Sequence, residues 1–311
     1  METYQLQLIG WATQAQRALV DYAKCFGAVA ADQNRLTDQV EFAVGQLQFR
    51  AASTSDSALF LIGHLKLWDA EILVRTVAEA SLKLTYICVG ERVEQEERTD
   101  EFLRMLPDLT RMKRHTRAQD LLGRLPQTAS GQWRPISDVL IPSEELDALK
   151  ARYPKERQKS VENRWGFIRI GETLGRSGTE FKELAGLAYL YGMGSHSVHQ
   201  DGDAILMMWE RDQREENRRE AIERAHAARE ISDILAFAFL RARAAYKAVD
   251  LDLAPVIEVA ARYRSLEDEM HEAYQAFHAL EYPESTNRTE SRRSFEGLDP
   301  EGHPFIRRSS K

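Results

Sequence analysis

Apolar residues recur every three or four positions over most of the chain, the spacing of amphipathic helices. Leu8, Trp11, Ala15, Leu19, Tyr22 and Phe26 form one stripe and predict a helix over residues 3–29. A second helix is predicted over 34–51. A third and longer one is predicted over 56–89, with Leu61, Leu65, Trp68, Ile72, Val77, Leu84 and Ile87 on its stripe. Asp56 is placed to cap its start and Gly90 to end it. A fourth spans 93–122, with a kink expected near Pro107.

Five of the nine prolines lie between 107 and 154, which marks that region as broken. Residues 123–142 read as a loop from their Gly, Pro and Ser content. Residues 143–153 read as a short helix with Ser143 as N-cap and Glu144 and Glu145 in its first turn. Beyond it the pattern mixes turn and short helix, with Trp165 as a packing anchor. Thr179 opens a helix carrying YLYGMGSHSVHQ, and 203–210 suggest a short extended segment. A charged, then alanine-rich, helix follows over 212–249, with its 210–224 run reading as a solvated face, and a last helix over 252–281. From Pro283 the composition is polar, as expected of a mobile tail.

No repeat and no alternating strand series is present. The class that follows is all-α, a multi-helix bundle with long antiparallel helices. It divides into N-terminal helices (1–54), a core (55–250) with a loop-rich insertion near 123–178, a C-terminal helix (251–282) and a tail (283–311).

Composition changes this picture little. The net charge of −7 argues against a surface covered with nucleic-acid-binding charge. Arginine, however, supplies 32 of the 42 basic residues, and its planar fork suits phosphate, so a local basic groove remains compatible. The two cysteines, Cys25 and Cys88, form no C-x-x-C pair, which excludes a thiolate zinc site and fits a reduced, cytoplasmic protein. No apolar run is long enough for a membrane span, and no signal peptide is expected.

Chemistry is suggested where polar groups interrupt apolar stripes. Arg75 and Glu79 stand four apart among Ile72, Val74, Ala78 and Leu82, on a helix that is apolar nearly all round. They are either a specifically bonded buried pair, the lining of a wet cavity, or a surface ion pair. Tyr191, Ser195 and His199 share a second face, His196 and Gln200 the adjacent one, and Gly192 and Gly194 thin the same segment. An imidazole moves protons near neutral pH, and an arginine stabilises developing phosphorane charge. Arg75 with His199, oriented by Glu79, would therefore suit metal-independent RNA cleavage, with Ser195 beside them. Tyr191, His196 and Asp201 are the candidate binding residues. The same set suits holding a nucleotide without cleaving it. A metal site from His196, His199, Asp201 and Asp203 matches no strong motif, and no metal or cofactor is expected.

The stretches LVRTVAEASLKLTYI, RWGFIRIGETLG and YLYGMGSHSVHQDG together resemble a bacterial family of unknown function that is similar to the HEPN (higher eukaryotes and prokaryotes nucleotide-binding) helical proteins. The resemblance covers roughly residues 55–245. It implies a HEPN-like core, a role in phage defence or abortive infection, and Arg75, Glu79, Tyr191, Ser195 and His199 as site residues. It also implies either an endoribonuclease or a non-catalytic nucleotide- or protein-binding regulator. The partners implied are RNA or a nucleotide, a second copy in a homodimer, and a protein from the same operon, with no membrane. Catalytic HEPN ribonucleases carry an arginine a few residues before a histidine. Arg219 with His226 and Arg264 with His271 approach that spacing no more often than chance allows.

Overall fold

A computed structural model describes residues 3–31, 36–125, 132–177, 184 and 201–283. Among these the regular elements are all helical, as the periodicity predicts. Three long helices come first: α1 (Thr3–Ala31), α2 (Asp38–Gly63) and α3 (Leu67–Cys88). An arm follows: α4 (Arg92–Asp100), a π-helical turn (Glu101–Met105), α5 (Leu106–Leu122), α6 (Arg134–Ser137), α7 (Ser143–Arg152), α8 (Lys155–Arg164) and α9 (Phe167–Ser177). The chain returns through α10 (Gly202–Asp212) to α11 (Glu216–Ala248), and ends in α12 (Ala254–Arg262) and α13 (Arg264–Glu281).

The core forms where α11 packs against α1, α2, α3 and α13. Its inward residues, among them Ala227, Ile231, Ile234, Ala238 and Ala245, are fully or almost fully buried. The alanines let neighbouring helices approach closely, and Leu8, Trp11, Leu59, Ile62, Leu82 and Leu84 fill the space around them. An arginine lies inside this core. Arg241 is inaccessible to solvent. It donates from Nε to Gln48 Oε1 (2.7 Å) on α2 and from Nη1 to Ser81 Oγ (2.6 Å) on α3.

Several boundaries differ from the sequence reading. The break expected near 51–56 is absent, because α2 runs through it. Asp56 does not cap a helix; it accepts from Gln16 on α1 (2.7 Å). The chain turns instead at His64–Lys66, with Leu65 at φ +59°. Gly63 ends α2 just before that turn, but the residue at positive φ is Leu65, a position that composition does not single out. Ser143 begins α7 just after Pro142 and is not itself the N-cap. The segment expected to be extended at 203–210 is helical, within α10. The last helix is split at Tyr263, whose hydroxyl donates to Asp21 (3.0 Å).

The expected kink near Pro107 takes a specific form. The Leu106 N–H donates to Glu101 O, five residues back, which widens the helix by one residue just before the proline. Pro107 has no N–H to give Leu103, so an ordinary α turn would be incomplete there.

Gly90 ends α3 as predicted, at φ +105°. A side-chain carbon there would lie 2.2 Å from Glu94 Oε2, the atom that accepts the Glu91 N–H. Beside it, Gln95 and Arg98 of α4 donate to the carbonyls of Cys88 and Tyr86 at the end of α3. Gly90→Ala is expected to cost ~1–3 kcal/mol through its backbone conformation, read as a lower urea-unfolding midpoint.

Candidate functional site

Helix α3 carries Glu71, Arg75, Glu79 and Lys83 one turn apart, so the polar face noticed from Arg75 and Glu79 extends in both directions. Of the three readings left open for Arg75 and Glu79, the fully buried pair is excluded, because both are half-buried. Glu79, whose side chain is 41% exposed, accepts from Lys83 Nζ at 2.7 Å. Tyr191, Ser195, His196 and His199 lie outside the described residues. Asp201 caps α10, its carboxylate accepting from the Ala204 N–H. Asp203 is exposed in the first turn of the same helix.

Toward its C-terminal end, the α3 face opens onto a groove of about 730 Å³ between α3, the π turn, α5 and α8. Phe102 and Trp165 stack at its floor, with ring centroids 5.4 Å apart and planes 27° from parallel. Trp165 is 5% exposed, and its indole N–H donates to Glu101 Oε2 (2.9 Å), which fixes the ring against the π turn. It is the packing anchor expected, stacked on Phe102 and met edge-on by Tyr86 at 5.3 Å. Lys83, Arg111, Lys113 and Arg114 line the rim, opposed among the lining residues by Glu162 alone. Lys113 pairs with Glu162, and Arg111 pairs with Glu145, whose carboxyl it holds below the usual range. Arg114 is exposed and has no acidic partner among the described residues.

In the other direction, α3 leads to a buried cluster. Glu71 Oε1 accepts from Arg229 (3.1 Å), and Glu71 Oε2 lies 3.7 Å from His226 Nε2. His226 Nε2 is 2.9 Å from Glu230 Oε1. On the other side of the ring, Arg211 donates to Nδ1 (2.8 Å) while its guanidinium sits over Trp68, 4.3 Å from the ring centre. Burial, with help from Arg211 and Arg229, holds His226 well below the ordinary imidazole value, so it is neutral. Burial pushes Glu230 well above the carboxylate range and Asp233 up to about 6.

Glu71, His226 and Glu230 bring ligand atoms within 4.8 Å of one another. The set nevertheless fits a metal poorly. A guanidinium only donates, so the His226 proton belongs on Nε2, the atom a cation would need. Two guanidinium groups already oppose the carboxylates. The arrangement ties α3, α10 and α11 together. Sequence reasoning missed it by reading Arg211 as part of the solvated 210–224 run, which is otherwise largely exposed or half-buried; Arg219 takes no part in the cluster. The usable signal was His226 and Glu230 four apart in an alanine-rich helix.

A further cavity of about 600 Å³ lies between α1, α11 and α13. Its walls are mostly apolar, and its guanidinium, Arg229, is engaged by Glu71.

Fold and groove define an all-helical protein with a cation-rimmed, aromatic-floored cleft on the flank of its bundle. Residues 41–217 match the model of a family of unknown function (DUF5677), more than half of the chain, which therefore belongs to that family. No curated protein and no solved structure matches it. The matched segment includes every lining residue of the groove and stops short of His226. Among the described residues no helix is long and apolar enough to cross a membrane.

Proposed function

We propose that the protein is a non-catalytic module that binds single-stranded RNA in the groove between α3, the π turn, α5 and α8. The observation that carries this reading is the half-buried Phe102, braced by Trp165 behind it, beneath a rim of four cations on a protein of net charge −7. Three of the four are ion-paired, and Arg114 has no acidic partner among the described residues. A local basic cleft against an acidic background points to a polyanion. An aromatic floor favours one with accessible base faces, at ~1–3 kcal/mol per stacked base. The resemblance to nucleotide-binding helical proteins agrees in kind. A cleaving centre at His226 is disfavoured, because that imidazole is buried between Arg211 on Nδ1 and the Glu230 carboxyl 2.9 Å from Nε2.

Fluorescence anisotropy with a labelled single-stranded RNA tests this. Lys83→Ala with Arg114→Ala is expected to weaken binding ~10-fold, with a shallower salt dependence, because two phosphate contacts are lost. Phe102→Leu should weaken it further at unchanged salt dependence. Equal affinity in all variants would remove the groove from the reading. RNA shortened in the presence of EDTA by the parent protein, but not by His199→Ala, would replace the binding module with a ribonuclease.

A further inference from the structure

Helix α2 turns three phenylalanines toward solvent. Phe42, Phe49 and Phe60 are 57%, 66% and 60% exposed. At about 100° per residue they fall within about 20° of a single line along the helix, some 27 Å long. Scattered exposed apolar residues are ordinary, but an aligned series marks a contact surface. Between the rings stand Gly45, Ser53 and Ser57, and the space over Gly45 is open.

We propose that this face packs against the same face of a second copy of the chain, antiparallel, about a two-fold axis passing beside residue 51. A two-fold interface must be complementary to itself, and in this register the sequence is. Phe42 meets the partner's Phe60, and Phe60 meets the partner's Phe42. Phe49 lies over the small partner's Ser53 and one turn from the partner's Phe49, so the central rings meet across the axis. Gln46 faces the partner's Asp56. At the ends Asp38 faces the partner's His64, a carboxylate opposite an imidazole, with both residues exposed in the single chain. The three rings expose about 370 Å² together, taking ~200 Å² for each whole side chain. That is nearly half of the ~800 Å² each partner of a stable pair buries, and the polar flanks of a 26-residue helix extend the contact. A single unrelated helix would need none of this symmetry.

Sedimentation velocity on the full chain over a wide concentration range is the test. The parent protein is expected to be a dimer, and Phe49→Glu a monomer with unchanged circular dichroism, since that side chain contributes little to the folded monomer. Register is tested by disulfide trapping. Phe42→Cys mixed with Phe60→Cys should cross-link under mild oxidation far more than either alone, and the native Cys25 and Cys88 are buried and do not compete. A parent protein that stays monomeric throughout, or a dimer that survives Phe49→Glu, overturns the proposal. A dimer lost in Phe49→Glu but without the mixed cross-link overturns its antiparallel register.

Discussion

Gln48→Leu is expected to destabilise the fold by ~3–5 kcal/mol, the cost of stranding one member of a buried charged pair or network. Gln48 supplies one of the two acceptors holding Arg241, and the Nη2 atom of that guanidinium already lacks a partner. Without Gln48, the charge keeps, among the described residues, only Ser81, whose hydroxyl also donates to Val77 O at 2.6 Å. Burial already disfavours the charge, pushing Arg241 down to about 9. The matching expectation runs the other way. Gln48→Leu combined with Arg241→Met removes charge and acceptor together and should equal or exceed the parent, since apolar replacement of a buried polar network is often neutral or stabilising. Urea-unfolding midpoints of parent, single and double variants decide this. A single variant as stable as the parent would mean that water reaches Arg241.

Asp233→Asn should stabilise the protein at pH 8 and lose that advantage in acid. Burial is the main reason that Asp233 rises from 3.8 to about 6; Glu71 adds to the shift and Arg229 opposes it. The folded state therefore binds this proton more tightly than the unfolded chain. The ionised carboxylate carries a penalty fully present above about pH 6 and absent below pH 3.8. Two pH units at 1.36 kcal/mol each set the ceiling at ~3 kcal/mol, and asparagine, which never ionises, avoids it. The difference in unfolding free energy between variant and parent should shrink steadily as pH falls from 6 to 4. A pH-independent difference would assign the effect to packing.

The helical class was legible because hydrophobic spacing is a local property, and α1, α3 and α11 each carry it over many turns. The turn at His64–Lys66 was not, since tertiary packing places Leu65 at positive φ without a glycine. The polar side of α3 was found from Arg75 and Glu79, but its two destinations were hidden. The groove depends on Trp165, distant in sequence, being brought to Phe102. The buried cluster depends on α10 folding back so that Arg211 reaches a histidine fifteen residues further on. Spacing within one helix cannot report either meeting.

The π turn at Glu101–Met105 also sets a phase relation. It holds one residue more than an α turn, so everything before it is rotated by about 100° relative to a continuous helix. Deleting a single residue there would regularise the hydrogen bonding and yet swing α4 out of step with α5. Gln95 and Arg98 would leave the carbonyls that finish α3, and Phe102 would leave Trp165. Among its neighbours, this is the place where a change in chain length of one residue is felt at both ends of the arm.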